Sequence, residues 1–161
     1  MTDITIRQAV PADAAKLNRA LARLSADMGD EHRATETDIA RVCFGPAPVL
    51  YALLAVTTDG DIIGVAAYSP FFSTVNGAVG VYVSDLWVAE EIRGKQLGRL
   101  LLAAVRKAGL EAWDAGFIRL GVYHDNPRAI AFYERLGFVP AAETQFLSLA
   151  GKAFDALGDP T

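Results

Sequence analysis

The repeat of apolar residues changes from strand-like to helix-like near residue 90, and this change restricts the folds open to the chain. Residues 79–88 form a continuous β-rich run. The apolar residues that follow recur at the three- and four-residue spacing of one helix face. They are Leu97, Leu100, Leu101, Ala104, Val105 and Ala108. An amphipathic helix that directly follows a strand needs a sheet to cover, so we expect an α/β fold.

The flanking segments predict further strands and helices. Three β-rich runs, at residues 50–57, 62–70 and 79–88, are separated by Asp59-Gly60 and Asn76-Gly77, which favour tight turns. These runs are predicted to form an antiparallel meander. Further strands are predicted at residues 4–7, 117–122, 138–140 and 144–149. Helices are predicted to begin at Pro11, after Thr35 and after Asn126, and the last of these to end before Gly137.

The predicted order of elements is therefore β-α-α-β-β-β-α-β-α-β-β. The helix between residues 79–88 and 117–122 acts as a crossover, which gives parallel pairing of the two strands that it joins. The predicted fold class is α/β, with a mixed sheet that is antiparallel in its N-terminal half and has a parallel pair in its centre. Helices are expected on both faces.

Composition excludes several classes of protein. The 161 residues, 52% of them hydrophobic, suit one domain spanning residues 1–161. A net charge of −4 argues against a nucleic-acid partner. The apolar runs are far shorter than the roughly 20 residues of a membrane-spanning helix, and residues 1–7 lack a signal-peptide pattern. We therefore expect a cytoplasmic protein with no membrane partner. Cys43 is the only cysteine and His32 and His124 are far apart, so no metal site is expected.

The loop before the amphipathic helix has the character of a phosphate-binding site. It is rich in Gly and Arg, and it directs several unpaired backbone N–H groups at one point. The positive end of the helix dipole adds to the attraction for an anion there. Neither G-x-x-x-x-G-K-[ST] nor G-x-G-x-x-G is present. The pattern that remains is Arg93-x-x-Gln96-x-Gly98.

This loop resembles the [Q/R]-x-x-G-x-[G/A] loop of the GNAT superfamily of N-acetyltransferases, which binds the pyrophosphate of coenzyme A. Gln96 stands where that family usually has its first glycine. Residues 126–138 resemble the second GNAT signature, N-x-x-A-x-x-[FL]-Y-x-x-x-G-F, with Asn126, Ala129 and Tyr133 at matching positions. The resemblance covers about residues 4–149 and implies acetyl-CoA as the acyl donor.

The resemblance also implies roles for individual residues. The backbone of Leu86, Trp87 and Val88 would form a bulged strand along the pantetheine arm. The remaining donor-binding residues implied are Arg93, Gly94, Lys95, Gln96, Leu97, Gly98, Arg99, Asn126, Ala129 and Tyr133. Tyr133 would also be the general acid that protonates the departing thiolate, although a core tyrosine would satisfy the same helical pattern.

The acceptor is predicted more coarsely. Residues 82–88 resemble the diamine and polyamine acetyltransferase branch, with Ser84 in place of its usual glutamate. Asp85 is the candidate base, or the carboxylate that orders a base water. Asp27, Glu31 and Asp85 are the candidate acceptor contacts, and such carboxylates would suit a cationic amine. A solvated acidic loop is the alternative interpretation of Asp27 and Glu31.

We therefore predict direct transfer of an acetyl group to the primary amine of a small molecule, polyamine-like if cationic, in a ternary complex. The alternatives are acetylation of a protein or peptide amine and a non-catalytic acyl-CoA sensor. The resemblance also suggests a homodimer.

Overall fold

The chain folds into two units, which meet in sequence between Tyr123 and His124. The computed structural model describes residues 3–158. The single domain expected over residues 1–161 stays a prediction, and the two units are described separately.

The first unit contains the sheet. Its described strands are β1 (Ile4–Gln8), β2 (Tyr51–Thr57), β3 (Ile62–Ser73), β4 (Ala78–Val88) and β5 (Phe117–Leu120). Its described α-helices are α1 (Ala14–Met28), α2 (Glu36–Phe44) and α3 (Leu97–Trp113). Short 3-10 turns at Pro11–Asp13 and Glu90–Ile92 lead into α1 and into the loop before α3.

The strands lie in the order β1-β2-β3-β4-β5. The pairs from β1 to β4 are antiparallel, and β4 pairs with β5 in parallel. Because α3 connects β4 to β5, it supplies the crossover that parallel pairing needs. The predicted meander, parallel pair and fold class are confirmed.

Helices cover both faces of the sheet, as predicted. Leu17 and Leu21 of α1 and Ile39 of α2 pack with Leu54 and Val65 in one buried cluster. On the other face, α3 contributes the buried side chains of Leu97, Leu101, Leu102 and Val105. Residues of the central strands are therefore buried on both sides, which explains their nearly continuous apolar sequence.

The second unit contains α4 (Pro127–Arg135) and the short α5 (Lys152–Ala156). The strands predicted at residues 138–140 and 144–149 are wrong, because both segments are irregular. Phe146 and Leu147 are 74% and 87% exposed. β-rich residues form a strand only where a neighbouring backbone pairs with them and a surface covers one face. Within the described part of the second unit, these segments have no such strand pairing.

Residues 3–158 contain neither a membrane-spanning helix nor a metal-binding cluster. None of their helices is both long and apolar enough to cross a bilayer. These residues also contain no group of three or more His, Cys, Asp or Glu side chains placed to hold a metal ion.

Candidate active site

β4 carries a bulge at Ser84. Val83 lies opposite Tyr68 and Asp85 lies opposite the next residue of β3, Ala67, so Ser84 has no opposite residue. The Ser84 hydroxyl lies 3.4 Å from Ala67 O and 2.6 Å from Asp85 Oδ2. The extra residue is therefore held by its own side chain.

The bulge reverses which face of the sheet is occupied by the residues of β4 that follow it. Val81 lies against α3, so close that a Cβ on Gly109 would come within 2.5 Å of Val81 Cγ2. Trp87 instead belongs to the buried cluster beside α1 and α2. In a regular strand, residues an even number apart share a face. The extra residue thus places Asp85, with Trp87, on the face of α1 and α2.

The same stretch of β4 has an open edge. β5 pairs with β4 only up to Val83, and no other described strand continues the pairing. Ala89 N–H donates to Ile63 O on the β3 side. Since backbone groups alternate along an antiparallel strand, the N–H and C=O groups of Leu86 and Val88 point to the opposite, open edge.

The bulge lies earlier than the resemblance implied. Leu86, Trp87 and Val88 keep regular pairs with Ala66, Val65 and Gly64. The irregular position is Ser84, directly before the candidate base. The predicted backbone stretch is nevertheless the one that the open edge leaves accessible.

The loop from Arg93 to the start of α3 follows this edge in sequence. Gly94 and Gln96 both have left-handed backbones, with φ of 83° and 65°. A left-handed backbone is easy for glycine and costs a residue with a Cβ about 1–2 kcal/mol. This conformation explains why the resembling family has glycine at the position of Gln96.

The N-terminus of α3 is open to an anion. Gln96 is the N-cap and makes no side-chain cap, and Leu100 N–H is the donor to Gln96 O. The N–H groups of Leu97, Gly98 and Arg99 therefore precede the first intrahelical bond. Lys95 and Arg99 are exposed cations at the same point. Amides and cations together suit a pyrophosphate.

Arg93 is engaged by the protein itself. Its Nε donates to Val88 O on the open edge of β4 at 3.0 Å. Its Nη2 forms an ion pair with Asp27, in the last turn of α1. Trp87 Nε1 donates to the same carboxylate at 3.1 Å. The structure thus brings together Asp27, Trp87 and Arg93 from three elements.

Glu31 and Asp85, the other two acidic candidates, and the neighbouring Asp30 lie in different surroundings. Glu31 is exposed and pairs with Arg33 at 2.8 Å. Asp85 is half-buried and accepts the Ser84 hydroxyl. Asp30 accepts a hydrogen bond from the Tyr123 hydroxyl at 2.8 Å, beyond the end of β5. The link between Asp27 and Arg93 could not be predicted from the sequence, because it joins residues 66 positions apart and leaves no local pattern.

In the second unit, three predicted residues lie on one helix. Asn126 is the N-cap of α4, and its Oδ1 accepts from Ala129 N–H at 3.1 Å. Gly137 has φ of 92°, and the N–H groups of Gly137 and Phe138 bond back to Glu134 and Tyr133. These bonds form the Schellman end that a glycine after the helix favours. The predicted cap and helix end are confirmed.

Tyr133 is half-buried between two aromatic rings. Its ring centroid lies 5.2 Å from that of Phe132 and 5.5 Å from that of Phe138. Burial removes the phenol from water and raises its pKa to about 12. The hydroxyl is therefore protonated over the whole physiological range, the state that a proton donor needs.

A protein family and several curated proteins match the chain. A model described as the acetyltransferase (GNAT) family matches residues 18–138. Thialysine N-epsilon-acetyltransferase of Bos taurus is 25% identical over 154 residues, which are 90% of this chain and 89% of that protein. Spermine/spermidine N(1)-acetyltransferase of Bacillus subtilis is 29% identical over 98 residues, 60% of this chain and 64% of that protein.

Solved structures share the fold. An integron cassette protein from the mobile metagenome of V. cholerae has a TM-score of 0.80 at 21% identity, over 99% of both chains. An aminoglycoside N-acetyltransferase in complex with CoA has a TM-score of 0.74 at 21% identity, over 94% of this chain and 96% of that one.

Proposed function

The chain belongs to the GNAT family of acetyltransferases, and on that premise we propose that it transfers the acetyl group of acetyl-CoA to a primary amine of a small cationic molecule. The amine attacks the thioester directly in a ternary complex. Membership of the family, with curated relatives that are named N-acetyltransferases, makes the chain an N-acetyltransferase. The donor, the acceptor class and the residue roles are what we propose.

One observation carries the proposal: the bulge at Ser84 lies where β5 stops pairing with β4. It places the Asp85 carboxylate on one face of β4. Beyond it, the backbone N–H groups of Leu86 and Val88 point to the open edge. A thioester lying along this edge would have a backbone N–H donor for its carbonyl oxygen. The same strand would supply the Asp85 carboxylate for the attacking amine.

The loop before α3 supports a CoA-type donor. The N–H groups of Leu97, Gly98 and Arg99 and the charges of Lys95 and Arg99 converge on the helix N-terminus. We propose that these groups hold the pyrophosphate, together with the backbone of Gly94 and Gln96. Asn126, Ala129 and Tyr133 are assigned to the donor by the family's second signature.

Each proposed role follows from the chemistry of the reaction. An amine of pKa about 10.4 is only about one part in 2,500 neutral at pH 7, and only the neutral form attacks. Asp85, directly or through a water, removes its proton. The N–H of Leu86 or Val88 stabilises the charge that develops on the carbonyl oxygen. As the C–N bond forms and the C–S bond breaks, Tyr133 donates its proton to the sulfur. The nitrogen loses its second proton to solvent as the amide forms, and the Tyr133 phenolate takes a proton back from solvent.

The relatives favour a small cationic acceptor. Two of them are named for thialysine and for spermine or spermidine, and all three compounds are amines that carry positive charge at neutral pH. The half-buried Asp85 carboxylate and the exposed Glu31 carboxylate would attract such a molecule. We also propose that the protein is a cytoplasmic homodimer. Sedimentation velocity on the purified protein tests the oligomeric state.

The test is an acceptor screen that measures thiol release from acetyl-CoA. Polyamines, lysine analogues, aminoglycosides and peptides are offered at equal concentration, and the N-acetylated form of each amine is its control. We expect turnover with small polyamines or lysine analogues and none with the acetylated controls. Turnover with peptides alone would overturn the acceptor class, and failure to bind CoA in calorimetry would overturn the donor.

Two charge-matched variants locate the donor site. Arg99→Gln removes a cation from the first turn of α3, whereas Arg106→Gln removes an exposed cation two turns along the same helix. We expect R99Q to raise the Kd for CoA about three- to tenfold and R106Q to leave it unchanged. Equal effects of the two variants would show only a general effect of charge.

A further inference from the structure

We propose that Asp27 is a positioning residue for the donor-binding loop and acts through Arg93. This inference rests on the proposed function, since the loop is taken to hold the pyrophosphate. It gives Asp27 a use different from the acceptor contact predicted from sequence. The last turn of α1 thereby becomes part of the support for the donor site.

The contacts of Arg93 define how the loop is held. Nε bonds to Val88 O on the open edge, and Nη2 to Asp27 Oδ2. The backbone N–H of Arg93 bonds to Glu90 O, so the residue is fixed at both its main chain and its side chain. With Asp27 removed, the guanidinium keeps the Val88 contact alone and can rotate about it.

Asp27 is itself held from a second direction. Trp87 is 4% exposed, and its indole N–H donates to Asp27 Oδ2 at 3.1 Å. Because the Trp87 ring is part of the buried cluster, it does not move with the loop. The carboxylate therefore links the Arg93 side chain to the rigid core.

The place of Asp27 in α1 is unfavourable for the helix itself. It lies one residue before Met28, the last residue of α1, and Gly29 ends the helix with φ of 76°. A negative charge in the last turn opposes the negative end of the helix dipole. A residue kept for helix stability would be neutral or basic here. The acidic residue at position 27 is explained by its ion pair with Arg93.

This conflict gives a test that separates positioning from stability. Asp27→Asn keeps the size of the side chain and removes the charge. We expect the Kd for CoA to rise about three- to tenfold, as for a partly exposed ion pair with a second hydrogen bond. We expect kcat at saturating substrates to stay within about twofold, and the melting temperature to be unchanged or higher because the helix dipole is relieved.

Three further variants make the assignment specific. Asp59→Asn removes an equal charge from the exposed turn between β2 and β3 and should leave the Kd for CoA unchanged. Trp87→Phe removes the indole donor together with part of the buried ring, and it should weaken CoA binding less than D27N does. In a double-mutant cycle, Arg93→Gln should raise the Kd for CoA less in the D27N background than in the unaltered protein, because the contact between Asp27 and Arg93 is already lost there.

The outcomes are distinguishable. If the unaltered enzyme binds no CoA, the proposed function fails. If it binds CoA and D27N binds equally tightly or more tightly, only the positioning role fails. Tighter binding by D27N would show that the carboxylate acts on the donor as a repelling charge. Additive effects of D27N and R93Q would likewise overturn the role, because Asp27 would then act independently of Arg93.

Discussion

The Ser84 hydroxyl lies 2.6 Å from Asp85 Oδ2, and it donates from the residue of β4 that has no opposite on β3. The bulge and the orientation of the candidate base thus depend on one residue. The serine, which replaces the glutamate usual in the polyamine branch, occupies one carboxylate oxygen and leaves the other for a substrate or a water.

Asp85→Asn should lower kcat/KM by about 10²–10⁴-fold, the usual contribution of a general base. The loss should be greatest at low pH, since neutral amine becomes about tenfold scarcer with each unit below its pKa. Rates measured from pH 6 to 10 test this. Ser84→Ala, which keeps the carboxylate, should lose much less. A D85N profile parallel to that of the unaltered enzyme would contradict the role of Asp85.

Tyr133→Phe should lower kcat about 10²–10⁴-fold and change the Kd for CoA by less than about threefold. With a phenol pKa of about 12, Tyr133 should give no alkaline limb in the rate profile up to pH 10. Tyr51→Phe removes a phenol that packs beside Trp113, and its kcat should be normal. Full activity of Y133F would remove Tyr133 from the acid role.

Gln96→Gly should relieve the left-handed backbone before α3. Gln96→Ala keeps that strain and removes the side chain, so we expect Q96G to exceed Q96A in free energy of unfolding by about 0.5–1 kcal/mol, after allowance for the greater unfolded entropy of glycine. Urea unfolding measures this difference. Q96G should also bind CoA more tightly, whereas Asp114→Gly, which relieves φ of 52° at the far end of α3, should leave CoA binding unchanged.

Asp13→Asn should destabilise the fold at neutral pH and much less in acid. Asp13 is 7% exposed and accepts two hydrogen bonds from Arg7, at 2.7 and 2.9 Å. The Arg7 hydrogen bonds hold the pKa of Asp13 below 3.8. A lowered folded pKa contributes stability that is complete above 3.8 and is lost as pH falls through the folded value.

Urea unfolding of D13N at pH 7 should therefore show a loss of about 1.5–3 kcal/mol, typical of a charged hydrogen-bonded pair. The difference from the unaltered protein should narrow at pH 3 and below. Asp59→Asn in the exposed β2–β3 turn is the control and should change stability little at either pH. A D13N deficit that grows in acid would contradict the sign of the linkage.

Features set by neighbouring residues could be predicted from sequence. The helix start predicted after Thr35 is a capping box, in which Thr35 Oγ1 accepts from Asp38 N–H at 3.1 Å and Thr35 N–H donates to Asp38 Oδ2 at 3.0 Å. Gly137 ends α4 as its position indicated. Such signals need no knowledge of the rest of the chain.

Features that depend on distant partners could not be predicted. The strands expected at residues 138–140 and 144–149 had suitable residues but have no paired neighbour in the second unit. The bulge at Ser84 depends on how β4 meets β3, which the sequence of β4 does not state. The bond from Asp27 to Arg93 arises only once α1 lies across β4.

The bulge at Ser84 also bears on which changes in chain length β4 can tolerate. A substitution at Ser84 alters one hydroxyl. Its deletion would restore regular alternation, and because Val83 and Asp85 already face opposite sides of the sheet, Asp85 and Trp87 would stay on the face of α1 and α2. A homologue one residue shorter here could thus keep both side chains on that face and lose only the hydroxyl that orients the candidate base.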